Sequence, residues 1–226
     1  RPQAARALDE LLPNGRVGSL FGMTEILIAT QTPVDGSPEV RHGSVGRPLE
    51  GVEARIVDEE GRELGSGQAG ELQLRGACLM SSYMNNPEAN AKAFTPDGWF
   101  KTADLAEWIE GGNIAIRGRL NDVINRGGVK INPADIENII LQHDKIRDAA
   151  LIPVHDDVLG ERICAAVTLV EGAEMTLEEI LKYLEARNVS KNRWPERLVV
   201  LDELPMTPTK KVVKGKLRTI VDEMIG

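Results

Sequence analysis

Near the end of the chain, PMTPTKKVVKGKLR holds five basic residues: Lys210, Lys211, Lys214, Lys216 and Arg218. A lysine ammonium is a mobile point charge with three donors, suited to an anion whose charge grows in a transition state. Far upstream, FGMTE (21–25) sets the Thr24 hydroxyl beside the Glu25 carboxylate at a glycine-containing turn. Together such groups can hold a phosphate oxygen and a Mg²⁺ ion. GWFKTADLAEW (98–108) places Asp104 after a short aromatic strand, where a carboxylate can accept both hydroxyls of a ribose. RGRLNDVINRGGVKINPADIE (117–137) is the densest stretch, with Arg119, Asp122, Gly127 and Gly128. Paired glycines allow backbone conformations or close approaches that a side chain would block. Each stretch also has a plain reading: a loop, a turn-forming Asp, a turn before a helix. Lys214 and Arg218 are four apart and share a helix face, for which solvation is enough. That reading does not account for Lys211, which sits in a loop after PMTPT.

Composition narrows the field. The chain has 226 residues, a net charge of -8 and 42% hydrophobic residues, ordinary for a globular protein of one large domain or two smaller ones. The acidic balance argues against nucleic acid as a main partner. Cys78 and Cys164 lie far apart and suggest no disulfide framework, which suits a cytoplasmic protein. His42, His143 and His155 lack metal-ligand spacing, so no zinc site is expected. No apolar run approaches the ~18 residues of a membrane helix, and no secretory signal opens the chain. Arg at position 1 and a short first helix suggest a start inside a longer polypeptide. The run 65–70 satisfies G-x-G-x-x-G, but a strand follows it instead of a helix, so it reads as a hairpin turn.

The elements that must position these groups follow from local pattern. Residues 1–14 read as a short helix, and VGSLF as a strand running into the FGMTE loop. From about 33 to 117 the pattern is all β, with alternating runs (VEARIVD, GELQLRG, GNIAIRG) between turn residues. That spacing predicts a small barrel or curled sheet. After about 118 the pattern turns to mixed α and β. NPADIENIILQH opens with Asn132 as N-cap and Pro133 at the first helical position. TLEEILKYLEAR opens with a Thr176/Glu179 capping box. DAALIPV, RICAAVTLV and RLVVLDEL read as strands, and VKGKLRTIVDEMI as a last helix.

Taken in this order, four stretches resemble the motifs of the adenylate-forming superfamily, which includes acyl-CoA and aryl-CoA synthetases, peptide-synthetase adenylation domains and luciferases. FGMTE resembles its aromatic-Gly-x-Thr-Glu motif and GWFKTAD its Gly-Trp-Phe-x-Thr-Gly-Asp. IRGRLNDVINRGGVKINPADIE resembles its hinge and Gly-Gly motif, and PMTPTKKVVKGKLR its Pro-x-Thr-x-x-Gly-Lys. The family's Ser/Thr/Gly-rich phosphate loop, upstream of the first motif, is absent. The resemblance therefore implies an α+β C-terminal portion of such an enzyme. Residues 1–118 would end the large domain, with a β-barrel-like subdomain at about 33–117. Residues 119–226 would form a compact α+β C-terminal lid.

The same resemblance implies roles. Phe21 stacks on adenine, Thr24 contacts the α-phosphate, and Glu25 binds Mg²⁺. Asp104 holds the ribose hydroxyls with Arg119 assisting. Asn121 stands at the hinge, Gly127 and Gly128 line a pantetheine tunnel, and Lys211 is the catalytic lysine. The implied activity is ligation of a carboxylic acid to coenzyme A through an acyl-adenylate, using ATP, Mg²⁺ and CoA. Loading of a carrier protein and a non-catalytic binding module are the alternatives, and a homo-oligomer is left open. Ile26 and Leu27 hint at an apolar acyl wall, hence a fatty or aromatic acid. The departures are Ala103 and Lys210 where the family usually has Gly, Asn121 where it has Asp or Lys, and Phe21 where Tyr is commoner. Lys214, Lys216 and Arg218 are expected to form a solvated helix face.

Overall fold

The computed structural model describes residues 2–225. It divides into two compact units, Arg1–Leu120 and Asn121–Gly226. In the first, α1 (Pro2–Glu10) is tied to α2 (Pro38–Gly43) through Asp9. The Asp9 carboxylate accepts two bonds from the buried Arg41 guanidinium, at 2.9 and 2.7 Å. Arg41 and the Val17 amide hold that carboxyl well below its usual range. Strands β1 (Leu20–Phe21), β2 (Thr30–Gln31) and β3 (Arg47–Pro48) form a small antiparallel sheet.

The larger sheet of this unit is an antiparallel meander of β4 (Val52–Val57), β5 (Ala69–Gly76), β6 (Phe100–Ile109) and β7 (Asn113–Arg119). It stays open, so the barrel expected over 33–117 does not close. Alternation reports one buried face of a strand; it carries no information on whether the outer strands meet. Two short helices also interrupt the region read as all β: α2, and α3 (Pro87–Ala93). Both start with a side-chain cap, Ser37 or Asn86, followed by Pro at the first helical position. The G-x-G-x-x-G run is a turn before β5, as expected, with the Gly67 amide bonded to the Trp108 carbonyl at 3.0 Å. Trp99 of the GWF stretch is flanked by the Arg55 and Arg75 guanidinium groups, each 4.5 Å from the ring.

The core of this unit joins the two sheets. Ile26 and Ala29, from the loop between β1 and β2, pack with Ile56, Leu72, Leu74, Ala106 and Ile114. Ile26 follows Glu25 directly, and Ala106 lies two residues past Asp104. One apolar cluster therefore fixes the segments that carry both carboxylates.

In the second unit the hairpin of β8 (Ile124–Arg126) and β9 (Val129–Ile131) leads into α4 (Pro133–Ile140). Two long strands follow, β10 (Ile146–Asp156) and β11 (Gly160–Leu169), then α5 (Leu177–Glu185), β12 (Arg197–Val200) and α6 (Lys214–Ile225). β11 pairs antiparallel with β10 and β8 and parallel with β12. The near-continuous apolar runs of β10 and β11 are explained by burial on both faces. Leu151, Ile163, Ala165 and Val167 pack with Ile136 and Ile140 of α4 and Ile180 and Leu184 of α5. The alternate residues, Ile152, Val154, Cys164 and Ala166, pack with Leu217 and Val221 of α6. The predicted caps form: the Asn132 side chain accepts from Ala134, and Thr176 and Glu179 make a capping box.

We expect limited proteolysis to cut first near residues 119–123, leaving two folded pieces, because few contacts cross a boundary between compact units. Fragment masses and N-terminal sequencing check this. A first cut inside α4 or α5 would mean that the second unit is not the independent body described.

Candidate functional site

The FGMTE loop is short and steeply turned. The Leu27 and Ile26 amides both bond to the Met23 carbonyl, at 2.7 and 3.1 Å, and Ala29 bonds back to Phe21 at 2.9 Å. Gly22 is required by this fold, since a Cβ there would sit 1.9 Å from the Leu27 carbonyl oxygen. Phe21 is half-buried on β1, Thr24 is exposed and Glu25 is half-buried. The Glu25 carboxylate accepts from the Tyr83 hydroxyl at 2.9 Å. Burial and that bond push the Tyr83 phenol up. Tyr83 is 58 residues from Glu25, and nothing in SSYMNNPE announces the pairing. Of the two residues after Glu25, Ile26 is fully buried in the core, and Leu27 is 73% exposed with φ +60.

Asp104 is aimed by a bulge. Between the pairs Glu71↔Leu105 and Gln73↔Lys101, β6 has three residues where β5 has one. The Thr102 hydroxyl pins this excess chain. It donates to the Leu72 carbonyl at 2.8 Å and accepts the Asp104 amide at 3.0 Å. Ala103 between them takes φ +57. Asp104 is left 4% exposed, directly across from Arg119, whose Nε lies 3.3 Å from Oδ1. The two residues linked by motif are therefore a cross-strand ion pair.

In the second unit Asn121 is exposed within the short turn Leu120–Asp122. Gly127 and Gly128 are the whole loop of the β8–β9 hairpin, with φ +58 and +86. Positive φ at both central positions is the type I′ turn that two-residue hairpins prefer. The Gly127 amide bonds to the Leu159 carbonyl at 2.9 Å. Behind the hairpin, Arg126 pairs with Glu196 at 2.7 Å, Glu196 with Arg162 at 3.0 Å, and Arg162 with Asp156 at 2.5 Å.

The PMTPTKK stretch is a second hairpin. Met206 and Val212 face each other across it, the Thr207 amide bonds to the Lys211 carbonyl at 2.8 Å, and the Lys210 amide to the Thr207 carbonyl at 2.9 Å. The Thr207 hydroxyl accepts the Lys211 amide at 3.1 Å. Pro208 starts the turn, and Lys210 closes it at φ +62. Lys211 is exposed, as are Lys210 and Lys216. Lys214 is not solvated as expected. Its ammonium is 2.7 Å from Glu137 and 3.7 Å from Asp122, with its side chain only 18% exposed. Arg218 is half-buried. Spacing along a helix finds residues on one face; it cannot find acids on other elements that cover the face.

Among the described residues no group of three or more His, Cys, Asp or Glu could hold a metal, and no helix is long and apolar enough to cross a membrane. Cys78 and Cys164 are unpaired.

Residues 1–84 match the AMP-binding enzyme family and residues 135–211 the AMP-binding enzyme C-terminal domain. The chain is 40% identical, over 99% of its length, to the 2-hydroxy-7-methoxy-5-methyl-1-naphthoate–CoA ligase of Streptomyces carzinostaticus, of which it covers 40%. It is 38% identical, again over 99%, to the salicyl-AMP ligase / salicyl-S-ArCP synthetase of Mycobacterium tuberculosis, of which it covers 39%. The crystal structure of ATP-bound MatB from Rhodopseudomonas palustris superposes with a TM-score of 0.84 at 32% identity, over 92% of this chain and 41% of that one. The chain thus spans about two fifths of the length of these relatives.

Two outcomes follow from the geometry. Ala103→Gly and Lys210→Gly each remove a side chain from a left-handed backbone that costs about 1–2 kcal/mol, against the extra unfolded-state entropy of Gly. Each should raise the melting temperature of its own unit by about 2–4 °C in calorimetry; a fall in either would mean the turn is not under the strain described. Separately, Arg162 and the Leu159 amide hold the Asp156 carboxyl down, to about 2 from 3.8. A depressed carboxyl contributes stability that is full above its unfolded value and lost as pH falls through its folded one. The urea midpoint should therefore fall as pH drops from about 4 to about 2, and Asp156→Asn should flatten that window.

Proposed function

Because this chain belongs to the adenylate-forming superfamily of AMP-binding enzymes, we propose that it forms part of an ATP-dependent ligase joining an aromatic carboxylic acid to coenzyme A. The observation that carries the reading is the 206–212 hairpin, whose tight turn leaves Lys211 exposed next to the exposed Lys210. The aromatic class is favoured over a fatty acid because two of the relatives reported above are named for hydroxynaphthoate and salicylate. The second of them supports the alternative acceptor, a carrier-protein thiol.

The chemistry brings two anions together. A carboxylate oxygen attacks the α-phosphorus of ATP, the bond to the β-phosphate oxygen breaks, and pyrophosphate leaves. Lys211 offsets the charge that develops on the phosphoryl oxygens. Thr24 donates to an α-phosphate oxygen, and Phe21 stacks on the adenine. Asp104 accepts from the ribose hydroxyls while Arg119, 3.3 Å away, helps orient its carboxylate. Glu25, half-buried and steadied by Tyr83, is an oxygen donor of the kind Mg²⁺ takes, and that ion binds through one or two carboxylates plus substrate phosphates without a protein cage. When bound, Mg²⁺ supplies further neutralisation of phosphate charge.

In the second step a thiol sulfur attacks the acyl carbon, the acyl–phosphate bond breaks, and AMP leaves. The bare Gly127–Gly128 turn, without side chains, suits passage of a pantetheine arm. Rotation about Asn121 exchanges Lys211 for that turn. Unpaired cysteines suit a cytoplasmic setting. The 226-residue chain alone, lacking the phosphate loop, should give no ATP–pyrophosphate exchange.

The test is exchange by the full-length protein with salicylate, a naphthoate and octanoate, followed by CoA. Exchange with octanoate alone would move the substrate class to fatty acids, and no exchange with any acid would remove the reading. In the same protein Lys211→Ala should slow adenylation at least about 100-fold, the scale for one preorganised electrostatic group. Thioester formation from supplied acyl-adenylate should survive. Loss of adenylation in Lys210→Ala but not in Lys211→Ala would assign the role to the neighbouring lysine.

A further inference from the structure

Lys214 is the first residue of α6. A cation there faces the positive end of the helix dipole, an unfavourable place for an ammonium. Two carboxylates from other elements offset this. Glu137 on α4 lies 2.7 Å from Nζ, and the Asp122 carboxylate 3.7 Å. Glu137 is itself committed: its Oε1 also accepts the Leu151 amide of β10 at 2.8 Å. β10 is an outer strand of its sheet, paired through β11 on one side, so this amide would otherwise lack a ladder partner. Glu137 and Lys214 are 17% and 18% exposed, so loss of either partner leaves a largely desolvated charge.

What the cluster joins gives it meaning. Asp122 follows Asn121 at the very start of the unit. Lys214 lies three residues past Lys211, and the Val213 amide between them bonds back to the Pro205 carbonyl at 2.7 Å. The Lys211 hairpin is thus held from both ends: its strands by backbone bonds, and its exit by the Lys214 ammonium. We propose that Lys214 is a positioning residue that fixes the Lys211 hairpin to the segment following Asn121, so that the two move as one body. Its catalytic consequence rests on the ligase reading above: an ammonium swung about Asn121 reaches the phosphate reproducibly only if no slack lies between pivot and hairpin.

The first measurement needs no activity. Hydrogen exchange on the 226-residue chain compares wild type with Lys214→Ala, Lys214→Arg and the exposed control Lys216→Ala. In Lys214→Ala, amides of 205–213 and 122–131 should both exchange at least about tenfold faster, consistent with breaking a largely buried pair. Lys214→Arg should restore protection, Lys216→Ala should leave it unchanged, and α5 should stay protected in all three. Unchanged protection at either segment in Lys214→Ala overturns the proposal, as does global loss of protection that Lys214→Arg fails to restore. The second measurement uses the full-length protein. Lys214→Ala should lower kcat of adenylation about tenfold with KM for ATP within about threefold, and leave thioester formation from supplied acyl-adenylate within about threefold, since an ill-placed group forfeits transition-state interactions more than ground-state binding. An equal fall in both steps, or none, overturns the catalytic part. If wild-type protein shows no adenylation, the ligase reading fails, and hydrogen exchange alone decides whether Lys214 couples the two segments.

Discussion

A residue forced into left-handed backbone stands immediately before each of two candidate functional charges. Ala103 at φ +57 precedes Asp104, and Lys210 at φ +62 precedes Lys211. In both places the chain makes a sharp local reversal, and a threonine hydroxyl locks it: Thr102 takes the Asp104 amide, and Thr207 takes the Lys211 amide. The reversal detaches the next side chain from the regular alternation of a strand. That is how Asp104 comes to face Arg119 across the sheet, and how Lys211 comes to stand exposed where the hairpin turn closes. An L side chain is strained in this region, and neither position is relieved here by glycine. The geometry is retained despite the residue, which indicates that surrounding bonds over-determine it.

The two charges are supported by different physics. Asp104 is nearly buried, and it is placed by a bulge pinned to β5 by Thr102, with Arg119 across from it. Its neighbour Ala106 sits in the same apolar cluster as Ile26, beside Glu25, which gives both carboxylates one rigid foundation. Lys211 is exposed and gains nothing from burial. Its position comes from turn chemistry and from the acids gripping Lys214. A group meant to approach a site transiently has reason to remain solvated, because a buried ammonium would lose its charge more readily.

Legibility in the sequence divides along the same line. Helices α4 and α5 could be read from Asn132, Pro133, Thr176 and Glu179, since caps are local. The long apolar runs of β10 and β11 were readable as strands, although only the structure explains their lack of alternation, by helices on both faces. Helices α2 and α3 also carry cap and Pro signals, but six and seven residues are too few for a helical period to outweigh the strands around them. The openness of the β4–β7 sheet left no trace, because closure is decided at strand edges and pattern speaks only of faces. Among site groups, the stretches around Glu25, Asp104 and Lys211 were identified from motif and residue type. Tyr83, Thr102 and Glu137 were not, because each acts through a partner on another element.

The basic run near the C-terminus illustrates the limit. Read linearly, five cations in an otherwise acidic chain suggest a patch for an extended polyanion. Folded, the run is divided. Lys214 is turned inward between Glu137 and Asp122, Arg218 is half-buried, and Lys210, Lys211 and Lys216 remain exposed on different local structures: a left-handed turn residue, a hairpin strand and a helix. A phosphate backbone binds through several cations at once, with each released counterion adding to affinity. A run in which one member is already paired with acids and another is half-buried offers fewer such cations than its five basic residues suggest. What it leaves is three exposed ammonium groups, two of them at a tight turn that is braced, three residues past Lys211, by a lysine whose partners are internal.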